Sequence, residues 1–267
     1  MTFLSIIITT YNRKELVIHT INSALDFAEH NSERVEIIVV DDASTDFTYE
    51  KLNEIYQKEL TAGDIRLFRS EKNLGVTGAK NLGAIQAGGE WLLFIDSDDL
   101  LVSEVAKEML KLLQKYNKYP IIFFRCVELE NGDLIGKYYQ KPYELSLKDF
   151  LNFGTPGECM PVVKLSNFKL FFYYQDLKGC EGLTCAEIIK QFGPAMVETL
   201  VARRYRTEND DRLSSVKGVL SRACFIAKYH SLILVKFYKE LFVTTILKTM
   251  AKAFCYWLYC FIHKVKH

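Results

Sequence analysis

Trp91-Leu92-Leu93-Phe94-Ile95-Asp96-Ser97-Asp98-Asp99 carries five apolar residues straight into three carboxylates within four positions. A short apolar run bounded by polar residues suits a central strand of a parallel sheet, and open α/β sheets bind ligands beyond the carboxyl ends of their strands. Carboxylates this close repel one another unless a cation or solvent screens them, and Mg2+ or Mn2+ is commonly held by one or two carboxylates together with phosphate oxygens. Two readings of Asp96, Asp98 and Asp99 stand open at this point: a metal site, or a solvated acidic turn capping a helix that begins near Ser103.

Outward from this stretch, Val35 to Val40 is a second apolar strand ending in Asp41 and Asp42, and Ala43-Ser44-Thr45-Asp46 is able to cap a helix over 47–60. Two strands thus deliver carboxylates to one sheet edge. Phe3 to Ile8 forms a third strand, leading through Thr9, Thr10, Tyr11, Asn12 and Arg13 into a helix with Leu16, Val17, Ile21, Ala24 and Leu25. A fourth, Ile65 to Phe68, precedes Asn73-Leu74-Gly75-Val76-Thr77-Gly78-Ala79-Lys80-Asn81, where small residues permit close backbone approach to a ligand. Strand and helix alternate four times over about 100 residues, which predicts an α/β fold with a mostly parallel, doubly wound sheet and helices on both faces. The loop Thr9 to Arg13 contains no glycine, so the Gly-x-Gly-x-x-Gly dinucleotide fingerprint is absent.

Ser5 to Arg13, Val39 to Asp46, Asn73 to Asn81 and Phe94 to Asp99, in that order, resemble the successive signatures of glycosyltransferase family 2. The resemblance is close over residues 3–115, loose over 155–215 and absent beyond. It implies a GT-A fold, an inverting mechanism, a nucleotide-sugar donor and a divalent cation, Mg2+ or Mn2+. By that resemblance Asp42 accepts the N3 proton of uracil or thymine, with Thr9, Tyr11 and Arg13 lining the base and phosphate pocket. Asp96 stands near the ribose, Asp98 coordinates the metal that bridges the diphosphate with Asp96 as a second candidate ligand, and Asp99 shapes the site or meets the donor sugar among the catalytic residues. Asn73, Gly75 and Lys80 join the donor-binding set. Asp41 and Asp46 read as helix caps.

In the family a Glu-Asp pair ahead of an amphipathic helix commonly supplies the base. Here the matching segment is Cys180-Glu181-Gly182-Leu183-Thr184, with glycine in place of the aspartate. Glu181 is therefore the candidate base and Asp176 the reserve; the alternative is that Glu181 caps the helix from Leu183. Arg203 to Ser214 resembles the loop that folds over the donor diphosphate, where Arg212 has the more motif-like position and Arg203 and Arg204 read as exposed strand-end residues. Ile121 to Arg125 is a further strand, Asn131-Gly132 a hairpin turn, and Thr155 to Leu165 the acceptor-side loop with its strand. Lys164 is read as meeting acceptor or phosphate, or as a solvated lysine.

The 267 residues, 49% hydrophobic, divide into a catalytic domain over 1–216, with a nucleotide-sugar half (1–115) and an acceptor half (116–216), and a basic helical tail over 217–267. The net charge of +1 conceals a tail of nine Lys or Arg against Glu240 alone. Its longest uncharged run, Ala253 to His263, is eleven residues, too short to span a bilayer. Lysines among aromatics describe amphipathic helices on an anionic membrane surface; packing on the catalytic domain or on a second subunit is the alternative, and a homo-oligomer stays open. The first strand begins too early for a signal peptide, and seven cysteines in no repeated spacing predict neither a disulfide framework nor a zinc site. No nucleic-acid module is present. These features predict a cytoplasmic, peripherally membrane-bound inverting enzyme. Its expected donor is a UDP- or dTDP-sugar, and its expected acceptor a saccharide, lipid-linked as in bacterial surface polysaccharide synthesis. A nucleotidyltransferase and a non-catalytic sugar-nucleotide-binding protein are the rivals.

Overall fold

The computed structural model describes residues 2–31, 34–207 and 216–264. Its sheet is built around β1 (Leu4–Thr10), which leads through α1 (Lys14–Glu29) to β2 (Val35–Asp41). α2 (Thr48–Ile55) and α3 (Gln57–Ala62) lead on to β3 (Ile65–Arg69), and α4 (Gly75–Gln86) returns the chain to β4 (Trp91–Asp96), on the other side of β1. All four strands run parallel, as the alternation predicts. Leu4 to Ile8 and Trp91 to Ile95 are buried along their whole length, which is why they read as near-continuous apolar runs, broken only at Ser5, rather than alternating ones. The register sets Thr10 beside Asp41 and Thr9 beside Asp96, so the loops after β1, β2 and β4 open at one edge. The helix expected over 47–60 is broken at Tyr56, whose hydroxyl donates to Asn22 Oδ1 at 2.8 Å and pins the break to α1.

The second half departs from a wholly parallel plan. β5 (Leu100–Leu101), α5 (Ala106–Lys115), β6 (Ile121–Glu128), β7 (Tyr143–Leu145), α6 (Leu147–Phe153), β8 (Cys159–Lys164), α7 (Leu165–Phe168), α8 (Gly182–Phe192) and β9 (Ala195–Tyr205) follow in turn. β8 lies antiparallel between β4 and β6, and β9 lies parallel beside β6, giving the order β3-β2-β1-β4-β8-β6-β9-β5 with β7 on β9. The Asn131-Gly132 turn reverses the chain as expected, with the Gly132 amide on Glu128 O at 2.9 Å. Leu4, Ile6 and Ile8 face α1 and α5, whereas Ile7, Val40 and Phe94 face α4 and α8, so both faces are covered.

Two expectations change here. A Cβ on Gly83 would stand 2.4 Å from Ile7 Cγ2, and one on Gly78 would stand 2.6 Å from Leu74 Cβ. These glycines let α4 pack on the sheet and fit its own turn; they do not open backbone to a ligand. Lys164 pairs with Trp91 at the start of β4, with its ammonium 5.7 Å from the indole ring. Asp96 lies five residues further along the strand, about 16 Å away, so Lys164 meets neither donor phosphate nor the reacting end of an acceptor.

The tail forms α9 (Val216–Ser221), α10 (Ala223–Phe237) and α11 (Val243–Lys264). Ile233, Phe237 and Leu241 join Leu177, Leu183 and Ala186 in one buried cluster, so α10 docks on the catalytic domain through α8. Cys224 and Cys260 form a disulfide across the α10–α11 hairpin, although the cysteine spacing predicts no disulfide framework. Their separation of 36 residues gives no motif; the hairpin alone brings their Cα atoms to 5.5 Å. No helix among the described residues is long and apolar enough to cross a membrane.

His230 on α10 stacks on Tyr256 of α11, with ring centroids 6.4 Å apart. Burial, with Lys252 nearby, pulls its pKa down to about 4. The unfolded chain takes up this proton near pH 6.5, so the hairpin's stability is full above that value and is lost as the pH falls toward 4. The thermal midpoint is expected to drop across that window in the wild type and to drop less in His230→Gln. Equal slopes in both proteins would remove His230 as the cause.

Candidate active site

Asp96, the last residue of β4, has a side chain 42% exposed, with Oδ1 3.0 Å from Lys80 Nζ. Lys80 projects from α4 and is nearly buried, and its Nζ lies 3.5 Å from Glu181 Oε1. Groups from β4, α4 and the entry to α8 therefore converge on one point. Burial opposes the Lys80 charge, but Asp96 and Glu181 more than offset it and raise its pKa. Burial alone would push the Asp96 carboxyl up; Lys80 reverses this and holds it below the usual carboxylate value. Glu181 precedes the first residue of α8 and makes no side-chain cap to it, so the capping alternative does not describe it. Asp176, the reserve, is ion-paired with Lys228 of the tail, whereas Lys80 pairs with Asp96 and Glu181.

Asp98 Oδ2 sits 2.8 Å from Arg13 Nη1, which brings the loop after β1 against the loop after β4. Of the two places expected for Asp99, shaping the site or meeting the donor sugar, its contacts describe the first. It is 1% exposed, with Oδ1 accepting the Arg206 amide at 3.0 Å and Oδ2 3.5 Å from Arg203 Nη1. Burial, partly countered by Arg203, pushes its pKa up to about 7. Asp99 thus braces β9 against the β4–β5 turn and does not meet a donor sugar. Arg203 is corrected: expected as an exposed strand end, it is buried and joins Asp99, Glu158 (2.7 Å) and Cys126 Sγ (3.2 Å). Removing one partner of such a buried pair costs about 3–5 kcal/mol, so this cluster fixes the floor of the site. Arg204 is exposed as expected. Arg212 lies outside the described residues.

Asp42 is 3% exposed. Its Oδ1 accepts from Ser70 Oγ (3.0 Å) and the Leu74 amide (2.8 Å), and its Oδ2 from the Gly75 amide (2.8 Å). It therefore caps α4 from another strand, a role the sequence did not reveal, and three of its roughly four lone-pair positions are taken. Asn73 Oδ1 accepts the same Gly75 amide at 3.1 Å, and Gly75 adopts φ +74° with Lys178 Cε 3.0 Å from where a Cβ would stand, so glycine is required there. Asp46 accepts the amide of Thr48, the first residue of α2, at 3.1 Å, as its cap reading predicts, whereas Asp41 accepts the Ser44 amide at 3.1 Å in the loop ahead of α2 and caps no helix.

Thr9 is buried and Tyr11 exposed at the mouth of the site. Beside them Asn12 donates its amide to Ser44 Oγ at 2.9 Å and accepts the Thr45 amide at 2.8 Å, with Asn12 at φ 51° and Ala43 at φ 59°. Non-glycine residues in that region are uncommon and concentrate at ligand sites. Ser44, Ser70 and Arg206 are the supporting residues that sequence reasoning missed; a serine just past a strand is too ordinary a signal to single out.

Among the described residues no group of three or more His, Cys, Asp or Glu side chains is arranged around a metal position. Asp96 and Asp98 offer hard oxygen donors, each balanced by a cation, Lys80 and Arg13. Two carboxylates fit Mg2+ or Mn2+ when the remaining ligands come from a diphosphate and water.

Residues 5–171 match the family model described as Glycosyl transferase family 2. The chain belongs to this family. Among its family 2 relatives, the GalNAc(5)-diNAcBac-PP-undecaprenol beta-1,3-glucosyltransferase of Campylobacter jejuni is 32% identical over 194 residues, 70% of this chain; the chain spans only 60% of that relative's length. Staphylococcus aureus TarS 1–349, solved with UDP-GlcNAc, superposes with a TM-score of 0.69 at 19% identity, covering 95% of this chain and 73% of TarS 1–349. The mannosyltransferase PcManGT of Pyrobaculum calidifontis, solved with GDP-Man and Mn2+, gives 0.63 at 16% identity over 87% of this chain and 64% of its own. The GT-A fold expected of family 2 is the fold observed.

Proposed function

We propose that the chain is an inverting glycosyltransferase that moves a sugar from a UDP- or dTDP-linked donor to a hydroxyl of a lipid-linked saccharide. The observation that carries this reading is the convergence of Asp96, Lys80 and Glu181 beside the Asp98–Arg13 pair. The donor base stands over Tyr11 and Thr9, and the lone pair left on Asp42 Oδ2 accepts the N3 proton. Asn73 and Gly75 form the wall that Asp42 holds in place. Asp96 and Asp98 would hold a divalent cation, which when bound would supply neutralisation of the charge that grows on the leaving diphosphate. Arg13, beside Asp98 at the same edge, offers its planar fork to a phosphate oxygen. Glu181 takes the proton of the acceptor hydroxyl as that oxygen attacks the anomeric carbon from the face opposite the nucleotide. With glycine at 182, this carboxylate works without an aspartate neighbour.

A thermal-shift screen of nucleotide sugars with and without Mn2+, followed by transfer assays, tests the donor side. A UDP- or dTDP-sugar is expected to stabilise the protein by about 2.7 kcal/mol at one hundred times its Kd, and more strongly with Mn2+. A response confined to GDP-sugars would overturn the choice of base, and binding without turnover on any acceptor would favour the non-catalytic reading.

The name of the Campylobacter jejuni relative, with its undecaprenol-linked saccharide, supports a reaction at a membrane surface. The surface of the tail supports it too. Val243, Leu247, Met250, Phe254, Leu258 and Phe261 recur every three or four residues as one exposed stripe along α11, flanked by Lys248 and Lys252. Phe153 of α6, 71% exposed and 5.8 Å from the ring of Phe242, continues that stripe onto the catalytic domain. Phe254→Asp combined with Phe261→Asp is expected to abolish flotation with phosphatidylglycerol-containing vesicles. Flotation unchanged by the pair, or a stable dimer that the pair disrupts, would turn the stripe over to another use.

A further inference from the structure

The segment from Tyr173 to Glu181 is held on two sides. On its inner side Asn81 of α4 clamps Tyr173, donating to its carbonyl at 2.7 Å and accepting its amide at 3.0 Å, and Lys178 lies over Gly75. On its outer side stands α10. Arg222, at the entry to α10, donates from Nη1 to Lys178 O at 2.8 Å and to Gly179 O at 3.3 Å. Lys228 pairs with Asp176, and Lys236 pairs with Glu187 and donates to Tyr174 Oη at 2.6 Å. These grips fall on both sides of Glu181 in the chain. Between them Tyr229 brings its hydroxyl to 3.3 Å from the point where a Cβ on residue 182 would stand.

We propose that α10 belongs to the reaction centre as the positioning element for Glu181, with Tyr229 seated against Gly182 as the stop that fixes where α8 begins. This rests on the reading of Glu181 as the base. Three cations on or beside one helix hold the backbone and side chains around the carboxylate, and charged donors make shorter, stronger hydrogen bonds than neutral ones. Residues 182 and 229 are matched in size: the small residue leaves room for the phenol, and the phenol keeps Glu181 turned to Lys80. The tail is thus a second support of the site, independent of its outer face on α11.

The test uses the full chain and separates kcat from the donor KM. Gly182→Ala puts a methyl group 3.3 Å from the Tyr229 hydroxyl, so one of the two must shift by a few tenths of an ångström, and the variant is expected to lower kcat roughly threefold to tenfold with donor KM within about twofold. Adding Tyr229→Phe removes the obstructing oxygen and is expected to restore most of that loss. Arg222→Ala is expected to lower kcat in the same way and Arg222→Lys to recover part of it. Donor-induced thermal shifts report folding in each variant; if Arg222→Ala fails to fold, the pair at 182 and 229 decides. Wild-type kcat in Gly182→Ala, or no rescue by Tyr229→Phe, alongside an inactive Glu181→Gln, would overturn the positioning role alone. Wild-type kcat in Glu181→Gln would overturn the base reading and the positioning role with it.

Discussion

Glu181→Gln is expected to lower sugar transfer by roughly 100- to 10,000-fold, the range that a positioned general base contributes, while donor binding persists. The amide keeps the size of the side chain and can still meet an acceptor hydroxyl, but it cannot take the proton as the oxygen attacks. Lys80 keeps its closer partner, Asp96 at 3.0 Å, when the carboxylate at 3.5 Å becomes neutral, so the donor half is expected to stay assembled. Initial rates at saturating donor, set beside donor-induced thermal shifts, separate the two effects. Full turnover in the variant would return the role to another carboxylate; loss of donor binding together with turnover would make Glu181 a structural partner of Lys80 instead.

Asp98→Asn is expected to cost roughly 100- to 1,000-fold in transfer and to abolish the stimulation by Mn2+. The lost term is charge stabilisation on the departing diphosphate, worth several kcal/mol, and each 1.36 kcal/mol is tenfold in rate. Folding is expected to survive. The Arg13–Asp98 pair is partly solvated, with side chains 29% and 16% exposed, and pairs near the surface contribute about 0–1 kcal/mol. Chelator treatment of the wild type is expected to reproduce the loss and added Mn2+ to reverse it. Wild-type rates in the variant, or in chelator, would exclude Asp98 as a metal ligand in this chain.

Much of the donor half was legible because its signals are local. The runs Leu4 to Ile8, Ile37 to Val40 and Trp91 to Ile95 are buried on both faces, and nothing but a central parallel strand accounts for them so simply. Asp96 and Asp98 follow one such run directly, so their placement at the sheet edge needed only the strand's direction. Asp99, one residue on, is left between two roles by the sequence because a turn decides which neighbour faces inward, and its partner Arg203 arrives from β9 more than a hundred residues later. Arg203 and Arg204 are adjacent in sequence and opposite in burial, the alternation of a strand whose phase the sequence did not reveal. Asp42 looked like a free acceptor, but the amides it caps belong to a helix more than thirty residues away.

By itself the sequence determined the α/β class, the family and the edge of the sheet at which the carboxylates gather, because hydrophobic period and strand-end chemistry are written in consecutive residues. Only the tertiary structure decided that Glu181 rather than Asp176 faces Lys80, that the glycines of α4 serve packing, and that Tyr229 of the tail meets Gly182. Each of these depends on which distant side chains share one small volume, and that is set by how helices pack on the sheet, not by any spacing along the chain.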